Sequence, residues 1–219
     1  TINGAFGIQG TFLAENSAVT VTGDVSVLTA ATIVNLGGST WTISGGWTNS
    51  STSAAWVAGS STVTIREAAS DTLTFAALAG PINEFNNLIL DTTAAGGITY
   101  TMATNALACG GLLTIRNSAG APTGNTVLTT GAGNLSVTAG SVTIETNGTF
   151  IANASTITVN GSWISTAANA TWTPGTSTVV FGATGTITLA AAQTFTILIQ
   201  SAGTSTLGAA LTVTGLLTV

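Results

Sequence analysis

The sequence predicts an all-β chain wound as a parallel β-solenoid, and three observations carry that expectation. Apolar–Thr–apolar triplets recur along the chain while helical spacing is nowhere sustained, the period-2 signature of strands with one buried face. The triplet centres, Thr20, Thr42, Thr64, Ile89, Thr114, Ser136, Thr158, Val180, Leu198 and Thr218, follow one another at intervals averaging 22 residues. A repeat of about 20 to 50 residues is the mark of stacked coils. The chain also repeats on a coarser scale: Ser39 to Ile65 aligns with Ser155 to Phe181 at a constant offset of 116, matching Trp47 to Trp163, Trp56 to Trp172 and Gly59 to Gly175.

Taken in order, residues 10–25 resemble 148–163, and 39–115 resemble 155–219, the second copy being six residues shorter ahead of Phe195. Residues 1–219 therefore read as a single elongated solenoid of roughly ten coils of ~22 residues, each long enough for three short strands. At about 4.8 Å per coil the rod is roughly 45–50 Å long. Val, Ile, Leu and Ala point inward and Thr outward, while Gly and Asn serve the corners, as at the Asn-Gly pairs of Asn3, Asn147 and Asn160. Three Pro in the whole chain suit ladders that need every N–H. The alternative is a pair of tandem β-sandwich domains, which the two similar halves also allow.

Composition narrows function by exclusion. Two Arg, seven Asp or Glu, no Lys and no His give a net charge of −5. Nucleophilic triads, Schiff bases, the phosphate-loop lysine and imidazole metal sites all need residues this chain lacks. Two Arg cannot neutralise a track of phosphates, so no nucleic-acid partner is expected. The single Cys109 cannot form an internal disulfide and reads as a small buried hydrophobe. Polar residues interrupt every apolar stretch well short of the ~20 residues of a spanning helix, and a single Tyr with short strands argues against an outer-membrane barrel, so the chain is not expected to span a membrane. The sequence opens at Thr1 with no basic, apolar leader, so any secretory signal is expected to lie outside it.

The blocks Gly45-Gly-Trp47, Trp56-Val-Ala-Gly-Ser-Ser-Thr-Val-Thr-Ile65 and Phe85-Asn-Asn-Leu-Ile-Leu90, with their copies Gly161-Ser-Trp163, Pro174-Gly-Thr-Ser-Thr-Val-Val-Phe181 and Phe195-Thr-Ile-Leu-Ile199, resemble a known repeat. It is common in very large secreted bacterial and archaeal cell-surface proteins of adhesin-like type. The resemblance covers about two thirds of the chain. It implies an extracellular, cell-surface structural segment with a β-solenoid fold, and it brings no catalytic residues and no cofactor to carry over.

Candidate sites are few. Arg66, Glu67, Asp71 and Glu84 cluster where the first block is longer, and paired carboxylates could hydrolyse a glycosidic bond or bind calcium. No Asp-x-Asp density supports a metal, so a solvated loop is the favoured reading and no metal, cofactor or catalytic residue is expected. Trp47, Trp56, Trp163 and Trp172 recur at equivalent places, which favours coil-to-coil packing over sugar stacking. Six Asn-x-Ser/Thr sequons occur, at Asn49, Asn134, Asn147, Asn153, Asn160 and Asn169, against about four expected by chance, and are candidate glycosylation sites. No capping element is legible at either end of the stack. The expectation is a non-enzymatic structural component of a filament or surface layer, self-assembling end to end with copies of itself (a homopolymer) or with further repeats of a longer chain. An adhesin-like glycan- or surface-binding module is the alternative, and a β-helix carbohydrate-active enzyme comes third.

Overall fold

The computed structural model describes residues 1–52, 55–77, 83–119, 124–167, 169–190 and 193–219. Its strands are β1 (Phe6–Leu13), β2 (Ala18–Val21), β3 (Val25–Asn35), β4 (Thr40–Ile43), β5 (Trp47–Asn49), β6 (Trp56–Val57), β7 (Thr62–Glu67), β8 (Asp71–Leu73), β9 (Asn87–Thr92), β10 (Ile98–Met102), β11 (Leu107–Ile115), β12 (Thr126–Thr129), β13 (Val137–Ile144), β14 (Gly148–Ile151), β15 (Thr156–Val159), β16 (Trp163–Ser165), β17 (Thr171–Thr173), β18 (Thr178–Phe181), β19 (Gly185–Leu189), β20 (Ile197–Gln200), β21 (Ser205–Leu207) and β22 (Leu217–Thr218). The chain is all-β, and its parallel sheets stack as a β-solenoid of about nine turns with a spacing near 22 residues.

Three ladders run along the solenoid. In the first, Val19, Trp41, Val63, Leu88, Leu113, Val142, Trp163, Ile187 and Leu207 are successive register partners, one per turn. The second holds the starts of β1 and β3, then β5, β8, β10, β12, β14 and β17, with a Thr48–Thr74 bridge joining β5 to the segment after β8. The third holds the ends of β1 and β3 with β6, then the starts of β11 and β13, then β15, β18, β20 and β22. Strands β11 and β13 thus round a corner: β13 pairs with β15 by its first half and with β16 by its second.

Because side chains alternate along a strand, every second residue enters the core. Val21, Ile43, Ile65, Leu90, Ile115 and Ile144 form one fully buried column of register partners on the first ladder. Corners stack as well. Glu15, Gly37 and Gly59 take left-handed φ values of 54°, 57° and 62°, and Gly38 N donates to Glu15 O at 2.6 Å as Ser60 N does to Gly37 O at 2.7 Å. A side chain at Gly59 would collide with the Gly37 carbonyl beneath it.

The ten sequence centres follow the duplicated block rather than one face. Thr20, Thr42, Thr64, Ile89 and Thr114 are register partners on the first ladder. Thr114 then faces Thr143 rather than Ser136, while Thr158, Val180 and Thr218 lie on the third ladder, aligned with Thr138 and Ile199. Leu198 points inward, because a shift of one residue changes the face a side chain occupies. The second block is therefore displaced by one ladder around the solenoid: β4 and β7 are on the first, their counterparts β15 and β18 on the third.

Candidate functional site

Charge concentrates on one edge of the central turns. Arg66 pairs in register with Asp91, and Arg116 and Glu145 follow directly after the aligned residues Ile115 and Ile144. The result is an alternating column: Arg66 Nε lies 3.6 Å from Asp91 Oδ2, Arg116 Nε 3.4 Å from the same oxygen, and Arg116 Nη1 3.6 Å from Glu145 Oε2. Asp91 is buried and its carboxylate also accepts from Ser118 N at 2.8 Å, Ser118 Oγ at 2.5 Å and Thr92 N at 2.8 Å. Both Arg of the chain are thus engaged within it. Asp91 was missed in the sequence, although its spacing of 25 from Arg66 and from Arg116 repeats that of Thr64, Ile89 and Thr114.

The structure does not gather Arg66, Glu67, Asp71 and Glu84 into one cluster. Arg66 and Glu67 are neighbours on β7 and face opposite sides, so Glu67 is buried while Arg66 lies on the outer edge. Burial, then the nearby Asp71 and Asp24 carboxylates, push the Glu67 carboxyl up to about 8. Asp24 Oδ1 accepts from Gly46 N at 2.9 Å, and the Asp71 carboxylate lies against the Gly46 Cα, where no side chain intervenes. Among the described residues no group of three His, Cys, Asp or Glu is placed to hold a metal ion.

Glu84 occupies a different setting, inside the aromatic core. Its Oε1 accepts from Trp47 Nε1 at 2.7 Å and Asn49 Nδ2 at 2.9 Å, its Oε2 from Ala76 N at 2.9 Å, and its carbonyl from Trp56 Nε1 at 2.8 Å. Full burial pushes its carboxyl up to about 7 in spite of those donors. Trp47, Trp56, Phe75 and Phe85 surround it with ring centroids 5.1–6.4 Å apart. In the second block Trp163, Trp172 and Phe195 pack with Phe150, which precedes the block, at 4.7–6.1 Å. All four repeated Trp are buried, so none presents an indole face for a sugar ring.

The sequon asparagines differ in environment. Asn49 is buried and bonded to Glu84. Asn147 is buried and accepts from Asn169 Nδ2 at 3.1 Å. Asn153 Nδ2 donates to Thr129 Oγ1, Thr130 Oγ1 and Gly131 O, all at 3.2 Å. Asn134 and Asn160 are exposed, though Asn134 Oδ1 accepts from Ala154 N at 3.0 Å. Cys109 is buried, its Sγ–H donating to Asn86 O at 2.9 Å, and desolvation pushes the thiol up to about 12.

The remaining feature is the last turn. Leu207, Leu216, Leu217 and Val219 are exposed, Val219 at 94%. Leu207, Leu217 and Val219, with Ile187, Leu198 and Leu211, border an open hollow of about 350 Å³. At the opposite end Phe6 and Phe12 are half-buried against Trp41, and Leu13 is exposed. No helix is long and apolar enough to cross a membrane, among the described residues. Compared with protein families, curated proteins and solved structures, the chain matches none.

Proposed function

We propose that this chain is a non-enzymatic structural segment of an extracellular filament or cell-surface layer, extended by stacking further turns on its ends. The turns come from a longer polypeptide or from copies of the same chain. The observation that carries this reading is the open apolar last turn, where Leu207, Leu216, Leu217 and Val219 present core-type side chains to solvent. An unpaired ladder end with exposed apolar residues is a template for more strands.

Turns added to the stack by copies of the chain make head-to-tail contacts, which extend as open fibres where they do not close into a ring. The scarcity of charge removes repulsion between stacked copies. The non-enzymatic part of the reading draws on two acids, Asp91 and Glu84, whose carboxylates are each held by donors of their own chain.

Electron microscopy of the purified chain over a range of concentrations tests the proposal. Filaments are expected, and their loss in a Leu216→Asp/Leu217→Asp variant that keeps the wild-type circular dichroism assigns them to the open end. Short, monodisperse particles at every concentration refute self-assembly. Binding of such particles to a glycan array points instead to an adhesin-like module.

A further inference from the structure

The two aromatic blocks match in sequence and packing but not in hydrogen bonding. Trp56 Nε1 donates to the Glu84 carbonyl at 2.8 Å, and Trp172 Nε1 donates to the Thr194 carbonyl at 3.0 Å. Thr194 thus stands where Glu84 stands, one residue ahead of Phe195 as Glu84 is ahead of Phe85. Trp163 and Ser165 occupy the two buried positions of β16 that Trp47 and Asn49 occupy on β5. In the first block both donors converge on Glu84 Oε1. In the second, Trp163 and Ser165 are fully buried, and neither Trp163 Nε1 nor Ser165 Oγ has a hydrogen-bond partner. Thr194 carries no carboxylate to reach them. The side-chain oxygen of the adjacent Gln193 is also buried without a partner, while its Nε2 donates to Ala170 O at 2.7 Å.

Native structures rarely leave a buried donor unmet, and two such donors at the strand positions that meet a carboxylate in the sister block define a site for an acceptor. We propose that Trp163 Nε1 and Ser165 Oγ bind one small oxygen-bearing ligand, a water molecule or a small carboxylate such as formate, with Gln193 Oε1 available to accept a hydrogen bond from water. The ligand accepts from the indole N–H as the Glu84 carboxylate does from Trp47. No cation stands beside the site, since both Arg are committed to the Asp91 column.

Indole ¹⁵N–¹H spectroscopy of the intact chain tests this, with the Trp163 signal assigned by its loss in Trp163→Phe. A cross-relaxation peak between the Trp163 Nε1 proton and long-lived water supports the site with solvent as the source. A saturable shift of that proton on adding formate, absent with chloride at equal ionic strength, supports it with a carboxylate as the source. The variant Thr194→Glu supplies the acceptor covalently: it is expected to remove either response and to slow exchange of the Trp163 indole proton by about tenfold or more. Wild-type protein in which that proton shows neither a water contact nor a formate response overturns the proposal, whatever the variant does.

Discussion

Glu84 makes an unusual prediction: removing the charge at the centre of a hydrogen-bonded hub stabilises the protein above neutral pH. In the folded chain its carboxyl is pushed from 4.5 up to about 7 by burial, whereas the unfolded chain leaves it near 4.5. Between those values the folded state holds a proton the unfolded state has lost. Stability therefore falls as pH rises through this window, and the full penalty is present above the folded value. At about 1.4 kcal/mol per pH unit, the loss is about 3 kcal/mol between pH 4.5 and 7.5. Glu84→Gln keeps the shape and one acceptor, and it mimics the protonated acid. The two proteins should be of similar stability at pH 4.5, and the variant should gain on wild type by about 3 kcal/mol by pH 8. Urea unfolding followed by Trp fluorescence reads this directly, because Trp47 and Trp56 both bond Glu84. Glu67, pushed up to about 8, contributes a fall of the same sign in both proteins and so drops out of the difference. Parallel pH profiles for wild type and variant would refute the argument.

Four substitutions and one labelling experiment separate the fold's supports. Gly59→Ala meets both a left-handed φ and the Gly37 carbonyl, so it should lose about 3 kcal/mol or more. Gly96→Ala, with open space where its Cβ would stand, should stay within about 0.5 kcal/mol by the same urea midpoints. Asp91→Ala removes the acceptor of Ser118 N and Oγ and of the partly exposed Arg66 and Arg116, and should cost about 2–3 kcal/mol. Arg116→Ala, whose side chain is one third exposed, should cost about 1 kcal/mol or less, an effect that shrinks as salt is added; equal losses would show that the column is not organised around Asp91. Cys109 should resist iodoacetamide at pH 8 until urea unfolds the chain, since it is buried with its thiol pushed up to about 12; equal labelling rates with and without urea would contradict its placement.

The period was legible because register in a stacked coil is set by an inward column that admits only apolar side chains, and Val63, Ile65, Leu88 and Leu90 declare that column outright. The change of ladder was not. It depends on Leu107–Ile115 and Val137–Ile144 each rounding a corner, with a register shift between Cys109 and Leu112. In sequence they read as ordinary alternating strands, and only Gly110 and Gly111 in the one and Gly140 in the other mark the bend. The role of Glu84 was equally hidden. A lone acid beside a Pro-containing insertion looks solvated, and its partners Trp47, Asn49, Trp56 and Ala76 lie 8 to 37 residues away. The charge column could have been found by applying the Thr64–Ile89–Thr114 spacing to Arg66, which lands on Asp91 and then Arg116.

Charge and irregularity coincide in this solenoid. The longest steps on the first ladder are those from Thr64 to Ile89, Thr114 and Thr143, and Arg66, Asp91, Arg116 and Glu145 follow those four residues two positions later. A regular coil satisfies its backbone through its neighbours and its outward positions with hydroxyls, so it has no need of ions. A coil carrying extra residues must hold them against the stack, and the Asp91 column does so at one edge while Glu84 does so inside. The second block illustrates the converse: six residues shorter, it lacks the carboxylate and keeps the indole donor. Along this edge ionic chemistry follows insertion: the column sits on the three longest steps, and the shorter turns beyond it carry no charge after Glu145.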